Sequence, residues 1–303
     1  NNDWVVTEEA NILRDFEFSY DIRNLYPSDV KVADYAINEF GLRDNCTSTN
    51  DIEILTIGGS TTDQRYVPFE FTYQSTLEKR LKEVNGNFGC VSNAGVDGHS
   101  TWGHIFAFEK WFPLIPNFQP KLIILYVGIN DVNFIRAATP NYGFDINNRK
   151  GLKTFLKNLE IVRVLLPIYR FIWQKIIKPS EPHVGHAPKL YLENDYTITN
   201  MNEKTVLLSE KNALAFKTKM ITILKEVSSL NAIPICVTQP HRYTTIKDSQ
   251  MYGIPNVLGD KFSGIDYDFS IRQLNAVLFE LCGDRIIDLY SHNFSDHHFY
   301  DGA

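Results

Sequence analysis

The chain has 303 residues, 44% of them apolar and 13% aromatic, and a formal net charge of −6. A chain of this size buries a sizeable core in one large or two small domains. An acidic balance without a basic block excludes a polyanion-binding surface, so no nucleic acid is expected as a partner.

Residues 1 to 50, with "YPSD" and "DNCTSTND", read as an N-terminal extension that wraps the core, and residues 51 to 303 as the main domain. The opening "NNDWVVTEEANILRD" is polar and acidic, whereas a signal peptide is basic and then apolar. A leader or anchor lost from in front of it would give membrane or cell-envelope association, and a periplasmic or cell-envelope location is the expectation. Five short apolar runs follow: "IEILTIG" (52–58), "FGCVSNAG" (88–95), "KLIILYVG" (121–128), "AIPICVTQP" (232–240) and "DRIIDLY" (284–290). Apolar character without alternation suits strands covered on both faces, as in a parallel sheet.

Helical spacing separates these runs. Residues 69–86 place Tyr73, Leu77, Leu81 and Val84 on one stripe, and residues 210–232 do the same with Leu214, Met220, Ile221, Leu224 and Val227. "LKTFLKNLEIVRVLLPIYRFIWQKII" (152–177) is the most apolar long segment; Lys157, Glu160, Arg163 and Arg170 interrupt it, so it reads as an amphipathic helix kinked at Pro167 and not as a membrane span. About a hundred residues between Asp131 and Ala232 exceed an ordinary crossover, which predicts a helical insertion at about 136–209. The whole pattern predicts an α/β fold: a three-layer α/β/α sandwich on a doubly wound, five-stranded, flavodoxin-like parallel sheet, with ligands beyond the carboxyl ends of the strands.

The first three strands each end in a small, polar cluster: Gly58 to Thr62, Asn93 to Ser100, and Gly128 to Asp131. The last strand feeds "SHNFSDHHFYDGA" towards the same edge. "GGSTTDQRY" lacks both phosphate-loop spacings and has no lysine after the turn. It fits a serine presented on a tight strand-to-helix turn, where free backbone N–H groups favour a developing negative charge; the plainer alternative for Ser60 is a helix N-cap. His183 with His186, and His292 with Asp296, His297 and His298, lack the partners of a metal site, so no metal and no cofactor are expected. Cys46, Cys90, Cys236 and Cys282 form no C-x-x-C pair and read as buried thiols, while one or two disulfides stay open.

In order, "IGGSTTD", "NAGVDGHS" and "VGIND" resemble the motif blocks of the SGNH hydrolases, the GDSL-like lipase, esterase and acyltransferase superfamily, from about residue 52 onwards except for the insertion. The resemblance implies Ser60 as nucleophile and first oxyanion donor, the Gly98 N–H as the second and the Asn130 amide as the third. It implies Asp301 of "FYDGA" as the aspartate of the family's D-x-x-H block, whose histidine falls one position after Ala303, so that the native chain is expected to continue; His297 and His298 are the alternatives. Gly59 stands where the family usually has aspartate. The G-G-S-T-T form, with "YAINEFGLRD" (35–44), is similar to a branch acting on cell-surface polysaccharides, which implies small acyl esters, acetyl first, of a carbohydrate. Hydrolysis, O-acyl transfer to a polysaccharide, and binding of acyl sugars without turnover are the three activities that follow.

Overall fold

The computed structural model describes residues 12, 14–22, 31–134, 193–257 and 261–292. The predicted helix at 152–177 and most of the predicted insertion lie outside these residues. Near the N-terminus, β1 (Phe16–Asp21) and β2 (Val32–Ile37) pair antiparallel, with Phe16 opposite Ile37 and Asp21 opposite Val32. β2 alternates strictly, so Ala33, Tyr35 and Ile37 point inward and join Tyr20 and Ile22 in a small apolar cluster of their own, against which Tyr66 packs. Reading residues 1 to 50 only as an extension missed this hairpin.

The main domain then runs β3 (Ile52–Gly58), α1 (Ser60–Asp63), α2 (Tyr73–Val84), β4 (Cys90–Asn93), α3 (Thr101–Phe106), β5 (Leu122–Tyr126), α4 (Thr205–Ser229), β6 (Ile233–Val237), β7 (Thr244–Lys247), β8 (Gln250–Gly253), α5 (Gly264–Cys282) and β9 (Ile286–Ile287). β7 and β8 form a small antiparallel hairpin. The central sheet has the order β4-β3-β5-β6-β9 with every neighbouring pair parallel. α3, α4 and α5 pack side by side, while α2 crosses from β3 to β4, so the fold is a three-layer α/β/α sandwich of flavodoxin-like order. From β3 the chain steps first to one side and then to the other, which makes the gap between β3 and β5 the switch point of the sheet. Leu55, Ile57, Ile123 and Leu125 are completely buried beneath it.

Three expectations need correction. Val84 is 88% exposed, because α2 is short and its buried contacts come from its first turns, where Gln74 lies inside. In α4, Leu214 and Ile221 are exposed, while Leu208, Phe216, Met220, Ile223 and Val227 face the core together with Asn212 and Lys219. Counting apolar residues alone rotated the stripe, since four polar side chains, Thr205, Ser209, Asn212 and Lys219, belong to the buried face. All four cysteines are bonded: Cys46 to Cys90 and Cys236 to Cys282, with Cα–Cα separations of 5.7 and 6.3 Å. Sequence spacing cannot bring Cys46 beside the first residue of β4; folding does. α5 was also missed, although Ser263 and Asp266 form a capping box at its start and Gly283 ends it.

Candidate active site

β3 ends at Gly58, Gly59 caps the next turn, and Ser60 opens the single helical turn α1. The N–H groups of Thr62 and Asp63 donate to the Gly59 carbonyl at 3.0 and 2.9 Å, and Gln64 closes the turn in the left-handed region at φ 48°. A four-residue helix has too few internal bonds to hold its own shape. Its orientation comes from its neighbours.

The three strand-end loops are bonded to one another. Val96 N–H donates to the Gly58 carbonyl at 3.0 Å, and the Asn93 amide donates to the Thr62 carbonyl at 2.7 Å, which joins the second loop to the Ser60 turn. The Asn130 amide donates to the His99 carbonyl at 3.0 Å, and the Thr101 N–H and hydroxyl donate to Asp131 at 3.0 and 2.5 Å, which joins the third loop to the second. A Cβ at position 59 would lie 2.5 Å from Asn130 Nδ2, so the third loop also rests on the residue before Ser60. Glycine at 59 is therefore what lets the Asn130 amide come this close.

Gly98 holds φ at +77°, a conformation that side-chain-bearing residues rarely adopt, and a Cβ there would meet nothing within 4 Å. Among the described residues, neither the Ser60 N–H nor the Gly98 N–H donates to a backbone carbonyl. Ser60 is partly exposed, while Thr62 and Asp63 behind it are buried.

Two buried carboxylates stand behind these turns, and sequence reasoning gave neither a role. Asp131 sits inside the cage of Thr101 and receives Lys219 Nζ from α4 at 3.1 Å. Asp63 accepts from the Tyr35 hydroxyl at 2.5 Å through Oδ1, and from Arg65 Nε and Nη2 at 2.8 and 2.6 Å through Oδ2. Complete burial pushes the Asp63 carboxyl up from the ordinary carboxylate range against the pull of Arg65 and Tyr35. Arg43 Nη1 also donates to the Asp63 and Gln64 carbonyls, at 3.0 and 2.7 Å. The signal was available: each aspartate closes a motif block, "GGSTTD" and "GIND".

Histidines lie near this edge but are engaged. His104 is buried, and desolvation, reinforced by His99, holds its imidazole well below the usual range, so it is neutral. His241, after β6, bonds Asp268 Oδ1 through Nε2 at 2.8 Å and accepts from the Tyr243 N–H through Nδ1 at 3.1 Å. With both ring nitrogens used, His241 is a structural group here and not a free base. Asp268 also accepts from the Tyr290 hydroxyl at 2.7 Å and pairs with Arg272, which ties the ends of β6 and β9 to α5. Asp301, His297, His298 and Asp296 lie outside the described residues, as do His183 and His186. Among the described residues there is no cluster of three metal-ligating side chains, and no helix long and apolar enough to cross a membrane.

No protein-family model and no curated protein matches the sequence. Among solved structures, the chain is similar to AlinE4, an SGNH-hydrolase family esterase, at 16% identity over 77% of this chain and 74% of that one, with a TM-score of 0.37. It is similar to the acetyl xylan esterase AlAXEase at 12% identity, 79% and 78% coverage and a TM-score of 0.37. It is also similar to a single-residue variant of Axe2, an acetyl xylan esterase from Geobacillus stearothermophilus, at 17% identity, 61% and 78% coverage and a TM-score of 0.26.

Proposed function

We propose that this protein is an SGNH-type serine esterase that cleaves small acyl esters, acetyl first, of a carbohydrate or similar polar alcohol. The observation that carries the reading is the joining of the three loops at the switch point, with the Asn130 amide against Gly59 and bonded to the His99 carbonyl. That arrangement supports one locus for the Ser60 hydroxyl and three donors: the N–H groups of Ser60 and Gly98, and the second N–H of the Asn130 amide.

In the proposed reaction, Ser60 Oγ adds to the acyl carbonyl as its proton passes to a base. The three donors hold the oxygen that becomes negative, each typically lowering the barrier by about 2.7 to 4 kcal/mol. Collapse expels the alcohol, which takes up the proton, and water then releases the acid from Ser60 by the same steps. Asparagine suits the third position because it donates without adding charge. The base is a histidine of the C-terminal segment that carries Asp301, which would orient it. The G-G-S-T-T block and segment 35–44 support a polysaccharide ester as substrate. The two disulfides support an oxidising compartment such as the periplasm or cell envelope.

The test is hydrolysis of an activated acetyl ester by the full-length native protein. The expected result is a burst of alcohol release that Ser60→Ala abolishes, with faster turnover of acetyl than of long acyl chains. Equal rates with and without Ser60 would sink the reading.

A further inference from the structure

Arg65 joins the two loops that carry the proposed backbone donors. Its guanidinium is fixed on Asp63, three residues after Ser60, and its Nη1 lies 3.5 Å from a carboxylate oxygen of Asp97, the residue before Gly98. Burial alone would pull its pKa down, but Asp63 and Asp97 outweigh that and raise it, so the group is a permanent cation between two carboxylates. Its plane lies over the Tyr35 ring at 5.8 Å, and Arg43 lies over the same ring at 4.9 Å, so the hairpin of β1 and β2 supports the guanidinium from behind.

Resting on the esterase reading, we propose that Arg65 is a positioning residue: by spanning Asp63 and Asp97 it fixes the spacing between the Ser60 turn and Gly98, and thus between the two backbone donors. The two ends of the span are unequal. At the Asp63 end the carboxylate is 1% exposed and doubly bonded by Arg65, which supports the fold; at the Asp97 end the carboxylate is 51% exposed, and such pairs add little to stability. What the outer end can do is bias the position of Gly98. The turn is closed by the His99 N–H on the Val96 carbonyl at 3.1 Å, but the side of Gly98 that a Cβ would occupy is open, so the pull on Asp97 can still tilt the peptide that carries the Gly98 N–H. A lysine at 65 would restore a positive charge for Asp63 but, as a point charge without the planar fork, could not bond Asp63 and reach Asp97 together.

The experiment compares Arg65→Lys, Asp97→Asn and the double variant in the full-length protein, with Arg80→Met on the exposed face of α2 as control. The expected result is kcat down about fivefold for Asp97→Asn and about 100-fold for Arg65→Lys, with KM within twofold and melting near wild type. Asp97→Asn should add nothing once position 65 is lysine, because the two residues act as one link. Wild-type kcat in both single variants overturns the proposal; so does independent multiplication of their effects, or a loss of kcat that merely follows a loss of folded protein. Amide exchange of residues 95–100 separates this from failure of the esterase reading. It should quicken in both variants while α2 stays protected, whatever the activity of the parent protein. Unchanged exchange means there is no link.

Discussion

The turn that carries Ser60 and the turn that carries Asn130 each end on a buried aspartate, yet the two are braced by different parts of the chain. Asp131 is held from within the sandwich, by Thr101 at the start of α3 and by Lys219 in α4. Asp63 is held from outside it, by Tyr35 of the N-terminal hairpin and by Arg65, while Arg43 takes the carbonyls of the same turn. The third loop therefore inherits the rigidity of the core, while the Ser60 turn, bonded to the sandwich through Asn93 and Gln74 at the Thr62 carbonyl, depends for its buried carboxylate on a segment that belongs to no layer of the sheet. The difference makes the hairpin part of the scaffold of the candidate site.

The largest expected effect breaks the inner brace. Lys219→Met leaves the Asp131 carboxylate buried with, among the described residues, the Thr101 donors alone, which should cost about 3 to 5 kcal/mol in a denaturant titration. Tyr35→Phe removes one of two partners of Asp63 and should cost about 1 kcal/mol, because Arg65 remains. Equal costs would mean that the two braces do not differ. Next comes the proposed donor beside the inner brace. Asn130→Ala should lower kcat by about 100- to 1000-fold with little change in melting, and Gly59→Ala should produce a smaller loss of the same kind by pushing the amide away.

A pH-dependent effect concerns the interior that supports both turns. His104 is depressed below its ordinary 6.5, so on acidification the unfolded chain takes up a proton that the folded one refuses. The His104 contribution to stability should be level above pH 6.5 and fall below it by up to about 1.4 kcal/mol per pH unit. His104→Leu should flatten that slope, as followed by melting between pH 7 and 5.

The parallel strands were legible in the sequence because a continuous apolar run that stops at a small polar cluster suits a strand covered on both faces and little else. β3 matches its predicted bounds, Ile52 to Gly58, and the alternation of strands with helices pointed to the doubly wound parallel sheet that is found. Ser60, Gly98 and Asn130 could be named because each lies in a motif block that follows a strand candidate, and the roles proposed for them come from the resemblance of those blocks. What could not be read was pairing at long range: Tyr35 with Asp63, Lys219 with Asp131, and Cys46 with Cys90 lie 28, 88 and 44 positions apart. The rotated stripe of α4 failed for a related reason. Lys219 is buried only because Asp131 meets it, and no local pattern in the helix records that partner.

The account depends most on Ser60 being the group that accepts an acyl or phosphoryl unit. Intact-mass measurement after exposure of the full-length protein to an activated phosphonate ester tests this directly. The account predicts one adduct, mapped to the segment around Ser60 and absent from Ser60→Ala. An adduct that survives that substitution, or none in a folded protein that hydrolyses acetyl esters, would contradict it.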